Sequence, residues 1–250
     1  MCGIAGFCLA QNENIDARKL SLALLGEIEV RGTDASGAAW VIPAKQCPNH
    51  RATIAVSKAP VRASKFEQYL VKMPKNAKRA ILHTRYATQG SPYNNLNNHP
   101  IISGRVVGVH NGHLNNDKAV FKYLRSAQLG GVRVGEVDSE AAFALLDSTT
   151  YQPYEVLDSL QGRAALAWFD ARDKRDLHLA RVADSPLAIG QTDKDSLIFA
   201  STMPLLVKAC QSVGLHLRWA EEIEPRTYLK VRNGVIEELE TIGASLKEIA

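Results

Sequence analysis

The chain contains 250 residues, of which 46% are hydrophobic and 22% charged, as is average for soluble globular proteins, and this excludes disordered, collagen-like and coiled-coil chains. Lys and Arg outnumber Asp and Glu by 30 to 26, giving a net charge of +4 that is spread along the chain and not gathered in a basic block. Composition therefore argues against a nucleic-acid partner or an anionic membrane, and the length predicts one domain.

Hydrophobic periodicity predicts more strands than helices. A strand is predicted over 3–10, then a helix over about 16–29 with Leu20, Leu24 and Ile28 on one face. Further strands are predicted over 37–42, 52–57, 79–85, 105–110, 163–169, 176–182, 187–190, 196–200, 227–231 and 234–239, and further helices near 64–72, 116–127, 139–148, 153–160 and 203–212. Many links are too short for a crossover helix, which predicts largely antiparallel pairing in an α+β layered domain.

Several classes of site and location are not expected. No apolar run approaches the roughly 18 residues that cross a bilayer, and the N-terminus lacks the basic region of a signal peptide. The four cysteines are spaced for neither a disulfide framework nor a zinc site, so reduced thiols in a cytoplasm are expected. Only His110 and His113 have a metal-ligand spacing, without carboxylates beside them, and nucleotide-binding motifs are absent. We therefore expect no metal and no cofactor.

Cys2 follows the initiator methionine. Removal of Met1 would leave a cysteine that carries both a thiol and a free α-amine, and an amine with a reference pKa of about 7.7–8.0 can take the thiol proton. Position alone favours the other interpretation, a small buried cysteine at the start of a strand. The remaining motifs have to decide between them.

Asn111-Gly112 follows an apolar strand-like run, which first of all indicates a hairpin turn. The same pair can form an oxyanion hole, with a side-chain amide and a backbone N–H as neutral donors. The two interpretations are compatible.

Charged residues in three further motifs have both structural and functional interpretations. Arg85 ends a strand in a loop rich in hydroxyl residues, either as a surface arginine or as a bidentate carboxylate ligand. Asp138 precedes an apolar helical run, which favours a helix N-cap over a ligand-binding carboxylate. The segment 31–37 reads as a helix stop and tight turn or as the glycine-rich wall of a pocket. The long polar loop 91–100 is expected to be functional.

Together, these motifs resemble the class II glutamine amidotransferases, whose glutaminase domains use an N-terminal nucleophile. The similarity is greatest to the glutaminase domain of glucosamine-6-phosphate synthase. The matching segments are Cys2-Gly3-Ile4-Ala5-Gly6, Arg31 to Gly37, His83-Thr84-Arg85-x-Ala87-Thr88-x-Gly90, Asn98-His99-Pro100, His110-Asn111-Gly112, Asp138-Ser139-Glu140, Ser185 to Gly190 and Phe199-Ala200-Ser201. The resemblance implies a four-layer αββα sandwich with two antiparallel sheets.

The resemblance also implies a catalytic mechanism. Cys2 would attack the carboxamide of L-glutamine, with its own α-amine as base, and form a glutamyl thioester. Asn111 and the Gly112 N–H would stabilise the oxyanion. The products would be L-glutamate and ammonia.

Substrate recognition is implied by further matching positions. Arg85 would hold the α-carboxylate of glutamine and Asp138 its α-ammonium, while Thr88 and Tyr86 would line the pocket. Three residues of the same motifs are expected to support the site: Arg31, Gly32 and His83.

Departures from the family pattern concern the substrate loop and the length of the chain. Tyr86 stands where tryptophan is usual, Gln89 replaces a histidine, Thr33 stands where an aromatic residue or glutamine is common, and the loop from Ser91 to Asn98 looks longer.

We expect residues 2–250 to form a single glutaminase domain without a synthase domain. This predicts a stand-alone glutaminase that passes ammonia to a separate synthase subunit and can form homo-oligomers. The alternatives are an N-terminal-cysteine amidase for another γ-glutamyl amide and a catalytically silent regulatory module.

Overall fold

The structure, a computed structural model, describes residues 1–47 and 51–243; the end of the predicted domain, 2–250, lies outside them. The helices are α1 (Ala17–Ile28), α2 (Asp117–Ser126), α3 (Ser139–Ser148), α4 (Pro153–Leu157) and α5 (Met203–Ser212). The strands are β1 (Gly3–Cys8), β2 (Ala35–Ile42), β3 (Thr53–Ala59), β4 (Arg79–Arg85), β5 (Ile101–Ser103), β6 (Val106–Leu114), β7 (Gly162–Asp170), β8 (Asp173–Arg181), β9 (Ala188–Thr192), β10 (Leu197–Ala200), β11 (Leu217–Glu222), β12 (Thr227–Arg232) and β13 (Val235–Thr241).

The strands form two sheets in which neighbouring strands are antiparallel. The first sheet has the order β11-β9-β10-β1-β4-β2-β3, and the second has the order β13-β12-β8-β7-β6-β5. β1 lies between β10 and β4, so the start of the chain is held near the middle of the first sheet. The predicted antiparallel pairing is confirmed.

Three apolar layers hold the sheets and helices together. On the outer face of the first sheet, α1 and α5 pack through residues such as Leu20 and Leu206. Between the sheets lies a second layer that includes Ile4 and Phe169. On the outer face of the second sheet, α2, α3 and α4 pack around Phe143. The order helix, sheet, sheet, helix confirms the αββα sandwich.

Helix α1 illustrates how the sequence sets these elements. Asp16 caps it by accepting hydrogen bonds from the N–H groups of Arg18 and Lys19 at 2.9 and 3.3 Å. Leu24 and Ile28 follow at helical spacing and are fully buried against the first sheet. None of the described helices is long and apolar enough to cross a membrane.

The main differences between prediction and structure concern one helix and three strands. The helix predicted near 64–72 is instead two short 3-10 segments, Ala63–Lys65 and Glu67–Leu70, because its backbone bonds join residues three apart, such as Tyr69 N–H to the Phe66 carbonyl at 2.9 Å. The short strand β5 and the edge strand β11 were not predicted. β6 extends past the predicted end at 110 to Leu114 because its pairing with β7 continues to that residue.

Candidate active site

Cys2 lies immediately before β1, and its thiol contacts the backbone of Tyr86 at the end of β4. The Tyr86 N–H donates to Sγ at 3.4 Å, and the thiol faces the Tyr86 carbonyl oxygen at 3.5 Å. Arg31 Nε donates to the Cys2 carbonyl oxygen at 2.8 Å. The nucleophile candidate is therefore held through its backbone by Arg31, while its thiol stays partly accessible.

The electrostatic environment of Cys2 keeps the thiol protonated. Burial raises the pKa of the Cys2 thiol, and Asp138 raises it further. The Tyr86 N–H, the terminal ammonium group of the chain and Arg85 act in the opposite direction without reversing the shift. A thiol in this position needs a base before it can attack a carbonyl.

Two residues of the segment 31–37 fix the backbone beside Cys2. A Cβ on Gly32 would overlap the backbone of Arg85 and Tyr86, so this position requires glycine because the two chain segments lie so close together. Its φ of −172° is ordinary extended backbone and does not by itself require glycine. The Asp34 N–H donates to the Arg85 carbonyl at 2.9 Å, and the Asp34 carboxylate accepts from the Ala87 N–H at 2.7 Å. Gly32 also caps the short 3-10 helix Glu29–Arg31, as the helix-stop interpretation predicted, and Asp34 makes backbone contacts beside Cys2 that were not predicted.

Arg85 is buried, with 3% of its surface exposed, so the surface interpretation is wrong. Its Nη1 donates to Asn98 Oδ1 at 2.9 Å, and its Nη2 donates to the carbonyls of Gln89 and Gly90. Both Nη2 hydrogens are thereby used. Arginine binds a carboxylate with two hydrogen bonds either through Nη1 and Nη2 or through Nε and Nη2, so both geometries require Nη2. To bind the substrate in this way, Arg85 would have to release one of the two loop carbonyls. A single hydrogen bond from Nε would not require that change.

The loop that Arg85 anchors is folded around Asn98, which is fully buried. Asn98 Nδ2 donates to the Pro92 carbonyl at 2.6 Å and to Asn95 Oδ1 at 2.9 Å. Lys58 Nζ donates to the backbone carbonyls of Asn98 and Pro100 at 2.8 and 3.0 Å. The long polar loop is thus tied to β3 and β4 at its C-terminal end. Thr88 lies exposed in this region, and Tyr86 is 53% exposed.

Asn111 and Gly112 lie within β6, so the hairpin interpretation is wrong. Residues 106 to 114 all pair with β7, and these long-range hydrogen bonds override the local turn signal. Gly112 has φ +144°, and a Cβ there would overlap the Arg163 carbonyl oxygen, so this position requires glycine. Asn111 is buried and faces the first sheet, where Nδ2 donates to Ser201 Oγ at 3.0 Å.

Asp138 occupies the N-cap position of α3, but the predicted capping bond is wrong: within the described residues its carboxylate makes no bond to the N–H groups of that helix. Oδ2 instead accepts from the Leu114 N–H at 2.6 Å and lies 3.5 Å from His113 Nδ1. The carboxylate therefore lies at the end of β6, next to Leu114 and His113. It remains 8% exposed.

Three buried histidines lie behind these residues. The His83 and His99 rings pack with centroids 4.1 Å apart at an interplanar angle of 31°, and the centroid of the His110 ring lies 6.5 Å from that of His99. His83 Nε2 faces the His110 carbonyl oxygen at 3.2 Å, and His110 Nδ1 faces Ser139 Oγ at 2.9 Å. They link β4, which carries Arg85, to β6 and α3.

Burial lowers the pKa of all three rings, that of His83 to about 3. The histidines are therefore neutral at pH 7. Among residues 1–47 and 51–243, no group of three or more His, Cys, Asp or Glu side chains could hold a metal ion.

These buried neutral histidines predict loss of stability in acid. At a second position, burial lowers the pKa of His178, stacked on Trp168, to about 4. In the unfolded chain these histidines take up protons near pH 6.5, whereas in the folded chain they remain neutral until the pH falls to their lowered pKa values. The free energy of unfolding should therefore decrease from about pH 6.5 to pH 4, by up to about 1.4 kcal/mol per pH unit for each such histidine. Urea unfolding at pH 7, 6 and 5 measures this dependence.

His178→Asn should reduce that pH dependence, and Gln211→Asn, at an exposed position with no titratable side chain, should leave it unchanged. Identical slopes for the His178 variant and the parent would contradict the assignment.

The sequence matches a model of the family described as "Glutamine amidotransferase domain" over residues 83–208. It is 30% identical over 224 residues to a glutamine–fructose-6-phosphate aminotransferase (isomerizing) of Geobacillus kaustophilus, covering 86% of this chain and 34% of that protein. It is 29% identical over 220 residues to the enzyme of the same name from Caldanaerobacter subterraneus, covering 85% and 33%. The chain thus spans about a third of the length of these curated relatives.

The fold is similar to that of a glutamine phosphoribosylpyrophosphate amidotransferase from B. subtilis, whose structure was solved with ADP and GMP. The TM-score is 0.75 at 20% sequence identity, and the match covers 97% of this chain and 50% of that one. This likeness concerns the fold alone.

Proposed function

This chain belongs to the class II glutamine amidotransferase domains, enzymes of the N-terminal-nucleophile type, and from that premise we propose that it hydrolyses L-glutamine through Cys2 and passes the ammonia to a separate synthase subunit. The reaction consumes one water and yields L-glutamate and ammonia. It needs no cofactor, because a thiol, an amine and neutral hydrogen-bond donors suffice for acyl transfer from an amide.

One arrangement supports this proposal most strongly: the Cys2 thiol contacts the backbone of Tyr86, the residue after the buried Arg85, and both Arg85 and Asp138, a cation and an anion, influence the pKa of that thiol. Free glutamine carries an α-carboxylate and an α-ammonium at one end and its reactive carboxamide at the other. A pair of opposite charges beside a nucleophile complements that distribution. A peptide-bound glutamine lacks both charges and would leave Arg85 and Asp138 unpaired, at a cost in affinity.

The proposed chemistry begins with removal of Met1, which exposes the α-amine of Cys2. That amine takes the thiol proton, the sulfur attacks the carboxamide carbon, and the negative charge moves to the carboxamide oxygen. The amine then returns the proton to the departing nitrogen, releasing ammonia and leaving a glutamyl thioester. Water attacks the thioester with the same amine as base, which releases glutamate and restores the thiol.

Asn111 and Gly112 are proposed to stabilise the oxyanion in both halves of this reaction. The amide of Asn111 faces the first sheet, which carries Cys2, and the position of Gly112 admits no side chain that could cover its N–H. Each such donor typically contributes about 2.7–4 kcal/mol to the transition state.

An amidase for another γ-glutamyl amide is the alternative that the charge pair does not distinguish from a glutaminase. Such a substrate with a free amino-acid end would still use Arg85 and Asp138, so the discrimination has to come from the leaving group. Glutamate release from L-glutamine, γ-glutamyl methylamide and Nα-acetyl-glutamine by the purified chain separates the cases. The proposal predicts fast release from glutamine alone. Faster release from γ-glutamyl methylamide than from glutamine would favour the amidase. The absence of glutamate release from all three substrates would favour the silent module.

Arg85→Lys tests the recognition of the substrate carboxylate. Lysine keeps the charge but has no fork that can bind Asn98, the loop carbonyls and a carboxylate together. We expect the KM for glutamine to rise at least about tenfold with a smaller change in kcat. Arg62→Lys, at an exposed arginine paired with Glu29, is the control. An unchanged KM in the Arg85 variant would show that another group binds the substrate carboxylate.

The separate synthase subunit is proposed because ammonia released into water near neutral pH becomes largely ammonium, which is not nucleophilic. A docked acceptor would receive the neutral molecule. The same reasoning predicts that glutamine-dependent amination by such a complex exceeds the amination supported by the equivalent amount of free ammonium.

A further inference from the structure

Ser201 lies in the turn between β10 and α5, 90 residues from Asn111 in sequence, and is completely buried. Its hydroxyl makes three contacts. Oγ accepts from the Ile4 N–H at 2.9 Å, donates to the Ile4 carbonyl at 3.2 Å, and accepts from Asn111 Nδ2 at 3.0 Å. One side chain therefore joins β1, two residues after Cys2, to the amide on β6 in the other sheet.

The hydrogen-bonding capacity of this hydroxyl is used up by these contacts. A serine hydroxyl has one hydrogen to donate and two lone pairs that accept. The hydrogen goes to the Ile4 carbonyl and one lone pair to the Ile4 N–H. Only a lone pair remains for Asn111, so only an N–H of its side chain can face Ser201.

This saturation fixes which way the Asn111 amide points. The NH2 group must lie on the Ser201 side, one of its hydrogens is held there, and the other remains available. Asn111 Oδ1 is buried and has no hydrogen-bond partner in the part of the chain that the structure describes. Without Ser201, a rotation of the amide by 180° would exchange these two ends at little cost.

We propose that Ser201 is a positioning residue for the oxyanion hole: it locks the Asn111 amide with its N–H donor facing the reacting carbonyl and sets its distance from the strand that carries Cys2. The inference rests on the proposed function. An amide turned the other way would place a carbonyl oxygen beside the developing negative charge, which repels the transition state more than the neutral substrate.

Ser201→Ala should therefore lower kcat for glutamine hydrolysis by about tenfold to a hundredfold, with the KM changed less than threefold. The matched control is Ser196→Ala. Ser196 is also completely buried and accepts from a backbone N–H, that of Ala10 at 3.0 Å, beyond the far end of β1. It should lose a comparable amount of stability but no kcat.

A double-mutant cycle with Asn111→Ala separates positioning from a general structural role. If Ser201 acts through the amide, Ser201→Ala should cost less than about twofold in kcat once Asn111 has been replaced, and Ser196→Ala should cost nothing in either background. Equal losses in both backgrounds, or a loss no larger than that of Ser196→Ala, would overturn the proposal.

The same experiment identifies a failure of the proposed function. If neither Cys2→Ala nor Asn111→Ala reduced glutamate release, the reaction would not use this site, and both the proposed function and the role of Ser201 would be wrong. If both variants lost activity but Ser201→Ala did not, only the role of Ser201 would be wrong.

Discussion

Replacement of Cys2 by alanine is expected to reduce glutamate release from glutamine at least about a hundredfold. The thiol supplies the attacking atom of the proposed thioester, and no neighbouring group can take its place. The substitution should leave the fold intact because Cys2 precedes β1 and lies outside the apolar layers. Initial rates at saturating glutamine, with melting temperatures of both proteins, measure the effect.

Cys47 provides the matched control for this substitution. Its thiol is free and contacts the carbonyl of Ile42 at the C-terminal end of β2. The site lies near the other end of β2, where Ser36 pairs with Thr84. Cys47→Ala should keep the rate of the parent. Equal rates for Cys2→Ala and the parent would exclude Cys2 as the nucleophile.

Replacement of Asn111 by alanine is expected to lower kcat by about 10²–10³-fold, the usual cost of removing one oxyanion donor. The KM should change little, since the charge that the amide stabilises appears only in the transition state. The measurement is the full dependence of rate on glutamine concentration. The variant also removes the hydrogen bond from Asn111 to Ser201, so its melting temperature should be determined in parallel.

Asn116→Ala is a suitable control because the Asn116 side chain also makes hydrogen bonds but lies at the start of α2. It donates to the Ser159 carbonyl and accepts from the Gln161 N–H. It should keep kcat. A rise in KM without a loss of kcat in Asn111→Ala would assign Asn111 to substrate binding and leave the oxyanion without this donor.

Much of the fold could be predicted from local patterns. Leu20, Leu24 and Ile28 predicted α1, and the short links between strands predicted antiparallel sheets, because both signals depend on neighbouring residues. β5 was missed because three residues are too few to show alternation. β11, an edge strand that ends in two glutamates, lacks the apolar pattern of an inner strand.

The geometry of the site depends on contacts between residues distant in sequence, which local patterns do not contain. The local pattern of Asn111-Gly112 predicts a hairpin, but in the structure both residues pair with β7, residues 162–170. Asp138 had the local pattern of an N-cap, but its carboxylate bonds to Leu114 on a neighbouring strand. Ser201 had no signal beyond its place in a motif, because its partners lie 90 and 197 residues away.

The family resemblance predicted which residues form the site, but not how their side chains are oriented. Arg85 was predicted as a substrate ligand, and the structure adds that its guanidinium also anchors the loop through Asn98. A motif gives residue types in order, whereas the use of each hydrogen-bonding atom becomes visible only in three dimensions.

The most direct test of the central claim, that Cys2 is an N-terminal nucleophile, is intact-mass analysis of the purified chain before and after treatment with 6-diazo-5-oxonorleucine, a glutamine-like electrophile, combined with a glutamate assay. We predict a chain that lacks Met1, releases glutamate from glutamine, and gains a single adduct that peptide mapping places on Cys2, with parallel loss of activity. A chain that retains Met1 yet hydrolyses glutamine, or an adduct on another residue that abolishes the activity, would contradict the claim.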